Sequence, residues 1–369
     1  MTSYRSCILA CFILLTGFVT ALPAVAQEEQ VEASPEEVFE EFWAIYNDGY
    51  ALFGVKNIDW DAVYDIYRPK VTAETSDEDL FAIISEIAGL MHDLHVVIRD
   101  EKGGRFYRSG SRSLATGDFD IGTFSLDLIG QSYATDGLKS IADGTFHYGM
   151  LSGNVGYLHF RSFNDMETSV GAIDEIISAF EGAGAVIIDV RQNGGGSDAV
   201  GQTIANRFAD QKRLYMSVQM RNIMEPRDSF AEPVDWYLEP AGPAQFTGPV
   251  VLLTNSRSIS AAENFALAMR ALPHAAIVGE YTAGVFADAG QVPLPNGWTV
   301  DVSVNIFRDP DGFNWEGIGV PPDYWMANKA DDIETGQDRV LGFALDLIDT
   351  GRIGRQDGSQ QPPRHVPVE

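Results

Sequence analysis

The sequence predicts an α/β fold. Two short apolar runs, residues 185–190 and 249–253, have the continuity expected of strands buried on both faces of a parallel sheet. Each leads through a loop rich in glycine or serine into a helical pattern, and strands alternating with helices mark this class. The chain has 369 residues, 45% hydrophobic and 21% charged, which is enough apolar material for a large core.

From the N-terminus, Arg5 precedes an apolar run over residues 7–21, and Ala24-Val25-Ala26 then gives a small-x-small triplet. This is the layout of a cleavable secretory leader, so residues 1–26 are expected to be removed and the protein to be exported, to the periplasm or outside the cell. Both cysteines, Cys7 and Cys11, fall in the leader, which leaves the mature chain without a disulfide, a thiol nucleophile or a cysteine metal site. No later stretch has eighteen consecutive apolar residues, so no integral membrane segment is expected after cleavage.

Residues 27–110 are expected to form an N-terminal helical domain. Ser34-Pro35-Glu36-Glu37 reads as a capping box with proline at the first helical position, followed by Phe39, Phe42, Trp43 and Tyr46 on one face. Ser76 and Asp79 cap a second helix carrying Leu80, Ile83, Ile84, Ile87 and Met91, expected to end just before His95. Residues 111–350 form the α/β core. Its expected elements are strands at 154–160, 185–190, 249–253 and 275–278, helices at 170–180, 199–208, 261–271 and 337–348, and a hairpin. The last helix would be capped by Thr335, and the hairpin turns on Asn296-Gly297, a dipeptide suited to a type I′ turn. The stretch 101–143 is too short for an inserted peptide-binding domain of ordinary size, and residues 351–369 read as a tail.

Charge narrows the function. With 53 acidic and 25 basic side chains the net charge is −28, or −29 without Arg5. Such a surface repels phosphate backbones and anionic lipid, so nucleic acid is excluded as a partner.

Three clusters can carry chemistry. In Asp189-Val190-Arg191-Gln192-Asn193-Gly194-Gly195-Gly196, glycines let backbone N–H groups approach an anion or oxyanion, although a tight strand-to-helix turn has the same composition. In Asn255-Ser256-Arg257-Ser258-Ile259-Ser260-Ala261-Ala262-Glu263, a serine at a helix start is either a cap or a nucleophile beside the positive end of the dipole. In His92-Asp93-Leu94-His95, two histidines three apart lack a third ligand for a metal, and one of them would be needed to take a proton from a serine. No metal or other cofactor is expected.

Taken in order, these stretches resemble the carboxyl-terminal processing (tail-specific) serine proteases and the tricorn core protease, more closely the tricorn-like branch. The resemblance rests on residues 90–96, 154–163, 188–196, 251–263 and 277–284, and on Gly317-Ile318-Gly319-Val320-Pro321-Pro322-Asp323, and spans about residues 34–348. It implies a crotonase-like (ClpP/crotonase-type) α/β core with no separate PDZ domain. It also implies a Ser260 nucleophile and an oxyanion hole on the N–H of Ala261 and a loop glycine, Gly194 or Gly195. The lysine base of the processing branch would fall on Val285, and Lys329 is the sole lysine after Ser260, so a Ser–Lys dyad is not expected. The tricorn-like branch implies His95 as base and Glu316 as the acid that raises its pKa. That branch has a serine before the histidine where this chain has Leu94, so Asp93 or Ser258 enters as a substitute link.

The activity implied is hydrolysis of peptide bonds in unfolded or carboxyl-terminal polypeptide segments. Two other readings compete: a catalytically silent binding protein on the same scaffold, and a thioester enzyme, against which the acidic composition and the leader both argue.

Overall fold

A computed structural model describes residues 33–110 and 121–353; the expected leader and nearly all of the expected tail lie outside them. The chain opens with α1 (Pro35–Gly49), α2 (Trp60–Tyr67) and α3 (Asp77–Gly89). The capping box forms: the Ser34 N–H donates to Glu37 Oε2 at 2.8 Å and the Glu37 N–H to Ser34 Oγ at 3.2 Å. Helix α3 stops earlier than expected, at Gly89. After it the N–H groups of Leu90, Met91 and His92 reach back only three residues, and Asp93 starts a turn by accepting the His95 N–H at 2.9 Å. That local carboxylate bond competes with another helical turn.

Strands β1 (Val97–Asp100) and β2 (Arg105–Arg108) follow, then α4 (Leu126–Ser132), β3 (Lys139–Ile141), β4 (Phe146–Leu151) and β5 (Val155–Phe160). The core continues with α5 (Met166–Ala179), β6 (Ala185–Asp189), α6 (Asp198–Ala205), β7 (Arg213–Met220), β8 (Val234–Leu238), β9 (Val250–Thr254), α7 (Ala261–Arg270) and β10 (Ala275–Gly279). It ends with β11 (Ala289–Pro293), β12 (Thr299–Ser303), β13 (Asn305–Arg308), β14 (Tyr324–Trp325), α8 (Ala330–Glu334) and α9 (Arg339–Asp349).

Seven strands form one sheet in the order β14-β10-β9-β6-β5-β4-β3, parallel from β14 to β5 and antiparallel beyond. Its faces follow the period of two. Val186, Ile188, Val250 and Leu252 enter one cluster with α5, α6 and α7, whereas Ile187, Val251 and Leu253 enter another with α9. This mixed α/β architecture puts the ends of β6 and β9 side by side, so the glycine loop and the serine loop leave the sheet as neighbours, where α/β proteins bind ligands.

The boundary expected at residue 110 does not divide the packing. Strands β1 and β2 complete a four-stranded sheet, β11-β12-β1-β2, and Phe39, Phe42, Trp60 and Ile84 share a core with Trp298, Val300 and Val302. The hairpin forms, but with a different turn: Asn296 keeps negative φ and only Gly297 is positive, at 88°. Pro295 fixes the preceding φ negative, so the turn closes as a three-residue loop with glycine in the left-handed position. The last helix is capped by Asp338, which accepts the Leu341 N–H at 2.9 Å, while Thr335 ends α8. A third sheet, β13-β7-β8, had no counterpart in the expected elements.

Candidate active site

The glycine loop is fixed from beneath by a buried ion network. Arg191, 2% exposed, donates from Nη2 to Asp189 Oδ2 at 2.6 Å and to Asp338 Oδ2 at 2.8 Å, and Tyr157 OH donates to Asp189 Oδ2 at 2.8 Å. Above this anchor Gly195, φ +89°, lies so close to the serine loop that a Cβ would meet Ser260 Cβ at 2.7 Å. Only glycine fits there. The Gly194 N–H donates to Arg161 O at 3.1 Å and the Gly195 N–H to Asn193 Oδ1 at 2.9 Å, so both loop glycines expected as oxyanion donors hold protein acceptors in this structure.

Ser260 sits at the sharp turn between β9 and α7 with φ 59° and ψ −123°, a conformation that an L-residue adopts at a cost of about 1–3 kcal/mol. A strained strand-to-helix corner of this kind lifts a nucleophilic hydroxyl clear of the backbone. The first turn of α7 closes through the Glu263 N–H on Ser260 O at 2.7 Å, while Glu263 Oε2 accepts the Ser260 N–H at 3.2 Å. Glu263 is fully buried and also takes the Thr282 hydroxyl and Gly284 N–H, each at 2.6 Å, and the Val285 N–H at 2.7 Å. Burial pushes its carboxyl up to about 8 against the pull of those donors. Val285 thus serves the site through its backbone. Ser258 is structural: its Oγ donates to Val190 O at 2.9 Å and accepts the Asn255 N–H at 3.2 Å, tying the two loops together.

His95 is held from the other side. Its backbone N–H binds Asp93 Oδ1, and Asp93 Oδ2 accepts Ser303 Oγ at 2.7 Å and Tyr50 OH at 3.2 Å. Burial lowers the imidazole pKa below its usual value of 6.5, with Arg108 acting the same way; Asp93, Asp288 and the backbone of Ala287 oppose it. His92, exposed with φ 46°, contributes its carbonyl and not its ring.

Glu316 was expected to raise the His95 pKa; the charges that oppose burial there are Asp93 and Asp288. The Glu316 carboxylate accepts the N–H groups of Phe286 at 2.8 Å and Ala287 at 3.3 Å, and pairs with Lys56 Nζ at 3.3 Å. Lys56 Nζ also donates to His92 O at 3.1 Å. A partly buried lysine therefore joins Glu316 to the histidine turn, where Leu94 cannot. Burial and the charge of Asp93 push Glu316 up to about 7, with Lys56 and the two amides pulling the other way.

The serine and histidine halves are connected by one strap. Four successive amides, from Gly284 to Ala287, are shared between Glu263 on the Ser260 side and Glu316 on the Lys56 side, and the next residue, Asp288, supplies charge at His95. Lys56 and Asp288 escaped the sequence reading because neither stands in a motif; each reaches the site only through tertiary contact. Lys329 is exposed at the start of α8. Among the described residues no group of three metal-ligating side chains occurs.

Residues 154–326 match the family described as peptidase family S41, and residues 31–89 match the tricorn protease C1 domain. The chloroplastic C-terminal processing peptidase of Tetradesmus obliquus is 27% identical over 206 residues, which are 55% of this chain and 42% of that protein. The chain thus spans under half the length of that curated relative. The crystal structure of a candidate peptidase from Parabacteroides merdae ATCC 43184 aligns with TM-score 0.75 and 28% identity, covering 86% of this chain and 97% of the other. The tricorn protease structure aligns with TM-score 0.56 and 18% identity, covering 86% of this chain and 37% of that one, a likeness of fold.

Proposed function

We propose that this chain, which belongs to peptidase family S41, is an exported serine peptidase that cleaves unfolded or carboxyl-terminal polypeptide segments. The periplasmic or extracellular location rests on the leader-like residues 1–26, and the crotonase-like core without a PDZ domain on the resemblance. The observation that carries the activity is the strained corner at Ser260, packed against Gly195 and tied by Glu263.

In this reading His95, neutral at pH 7 because burial lowers its pKa, takes the proton of Ser260 as Oγ attacks the scissile carbonyl carbon. Asp93 and Asp288 supply the negative charge that the new imidazolium needs. The carbonyl electrons move to an oxyanion held by the Ala261 N–H at the positive end of α7 and by the Gly195 N–H, which exchanges Asn193 Oδ1 for the substrate oxygen. When the intermediate collapses, His95 returns the proton to the leaving amine; water, deprotonated by His95, then cleaves the acyl-serine ester. Glu316 and Lys56 position the strap and the histidine turn and do not touch the reacting atoms.

Turnover of an unfolded polypeptide by the wild type and by Ser260→Ala and His95→Ala tests this. Each substitution is expected to lower kcat by about four orders of magnitude or more with unchanged circular dichroism. Undiminished cleavage by Ser260→Ala would refute the assignment.

A further inference from the structure

A cavity of about 270 Å³ opens between the start of α6 and the β13-β7-β8 sheet. Its size suits one side chain, since pockets for drug-sized ligands run from about 300 to 1,000 Å³. Val218, Val234, Trp236 and Phe307 give it apolar walls, and Asp198, Glu232 and Asp288 give it three carboxylates. Among the described residues no lysine, arginine or histidine lines it.

Each flank of the cavity leads to a group of the candidate site. Asp198 opens α6, two residues after Gly196. It accepts Asn264 Nδ2 at 3.0 Å, and the Asn264 N–H in turn bonds to Ser260 O. Asp288 is a charge neighbour of His95 and of Asp198. Asp288 Oδ2 accepts Asn305 Nδ2 at 2.7 Å, so among the described residues the side-chain hydrogen bonds of these two acids come from amides. Asn264, 2% exposed, has a buried Oδ1 with no hydrogen-bond partner among the described residues. The neighbourhood is rich in acceptors and short of donors. An aliphatic stem with a cationic, donor-rich head meets both needs, lying along the apolar walls with its charge at the acids.

Resting on the peptidase reading, we infer that this cavity is a specificity pocket that takes an arginine or lysine side chain of the polypeptide substrate. Burial and the like charge of Asp288 push the Asp198 carboxyl up to about 7, against the pull of Asn264, and an incoming cation would keep it ionised. The net charge of −28 acts in the same sense at longer range, drawing basic segments toward the protein.

The test is a set of quenched peptides on a neutral scaffold, with a single Arg, Lys, Gln or Glu moved through the three positions on either side of the scissile bond. At one position Arg and Lys are expected to exceed Gln in kcat/KM by about tenfold or more, and Glu to fall below it. The Asp198→Asn/Glu232→Gln double variant should bring the Arg-to-Gln ratio close to one, and Glu232→Lys should favour Glu. Each ratio is taken within one variant, so a general loss of activity cannot imitate the effect. A wild-type ratio near one at every position, or a basic preference that survives both variants, overturns the pocket. Parallel labelling with a fluorophosphonate separates the two claims. A labelled enzyme without basic preference removes the pocket alone, whereas an unlabelled protein inert to every peptide removes the peptidase reading and the pocket with it.

Discussion

At His95, the proposed base, protonation is set by a balance of burial against charge. Desolvation disfavours the imidazolium and Arg108 adds to it, while Asp93 and Asp288 favour it, and the sum leaves the pKa below 6.5. The base must be neutral to accept a proton, so activity rises with pH and its acid limb lies below that value. The pH profile of kcat/KM for a neutral peptide is expected to show this limb. Asp288→Asn should move it further down, because a charge favouring the protonated form is removed. An upward move, or a limb above 6.5 in the wild type, would contradict the assignment of the base. Ser260 and His95 could be nominated from the sequence because each lies in a short local pattern. The coupling between Glu316 and the histidine turn was not: it runs through Lys56, thirty-six residues before the His92 carbonyl that it binds.

At the scale of elements, the stretch Asp189-Val190-Arg191 before the glycines is an anchor. The Arg191 guanidinium lies between two buried carboxylates, and removing it leaves both without their cation. Arg191→Met is expected to destabilise the fold by about 3–5 kcal/mol in denaturant unfolding and to loosen the glycine loop. A change below about 1 kcal/mol would mean that water or rearranged donors replace it. Strands β5, β6, β9 and β10 were readable because strands buried on both faces announce themselves as apolar runs. The sheet of β7, β8 and β13 was missed for the opposite reason. Val234 and Met220 are exposed, and β13 pairs with β7 from some eighty-five residues away, so neither composition nor spacing marks them. Asn296-Gly297 was read correctly as a hairpin and wrongly as a type I′ turn, because the constraint comes from the neighbouring Pro295.

Over the whole molecule, buried acids set the response to pH. Asp198 and Glu316 are pushed up to about 7 and Glu263 to about 8, above the ordinary values of 3.8 for Asp and 4.5 for Glu. The folded chain therefore keeps protons that the unfolded chain has lost. Their contribution to stability is fully present below about pH 4 and is lost as pH rises through 7 to 8. His159, lowered to about 4 by burial, has the opposite sign: its contribution is lost as pH falls from 6.5 toward 4. Thermal unfolding is expected to give a higher midpoint near pH 6 than near about 8.5. An equal or higher midpoint at the alkaline end would mean that these carboxyls are ionised throughout.

All of these scales meet at one hydroxyl. A fluorophosphonate should form a single adduct on wild-type protein, located at Ser260 by peptide mass mapping, and the adduct should be lost in Ser260→Ala and much slower to form in His95→Ala. Modification of another residue, or equal rates with and without the imidazole, would contradict the account.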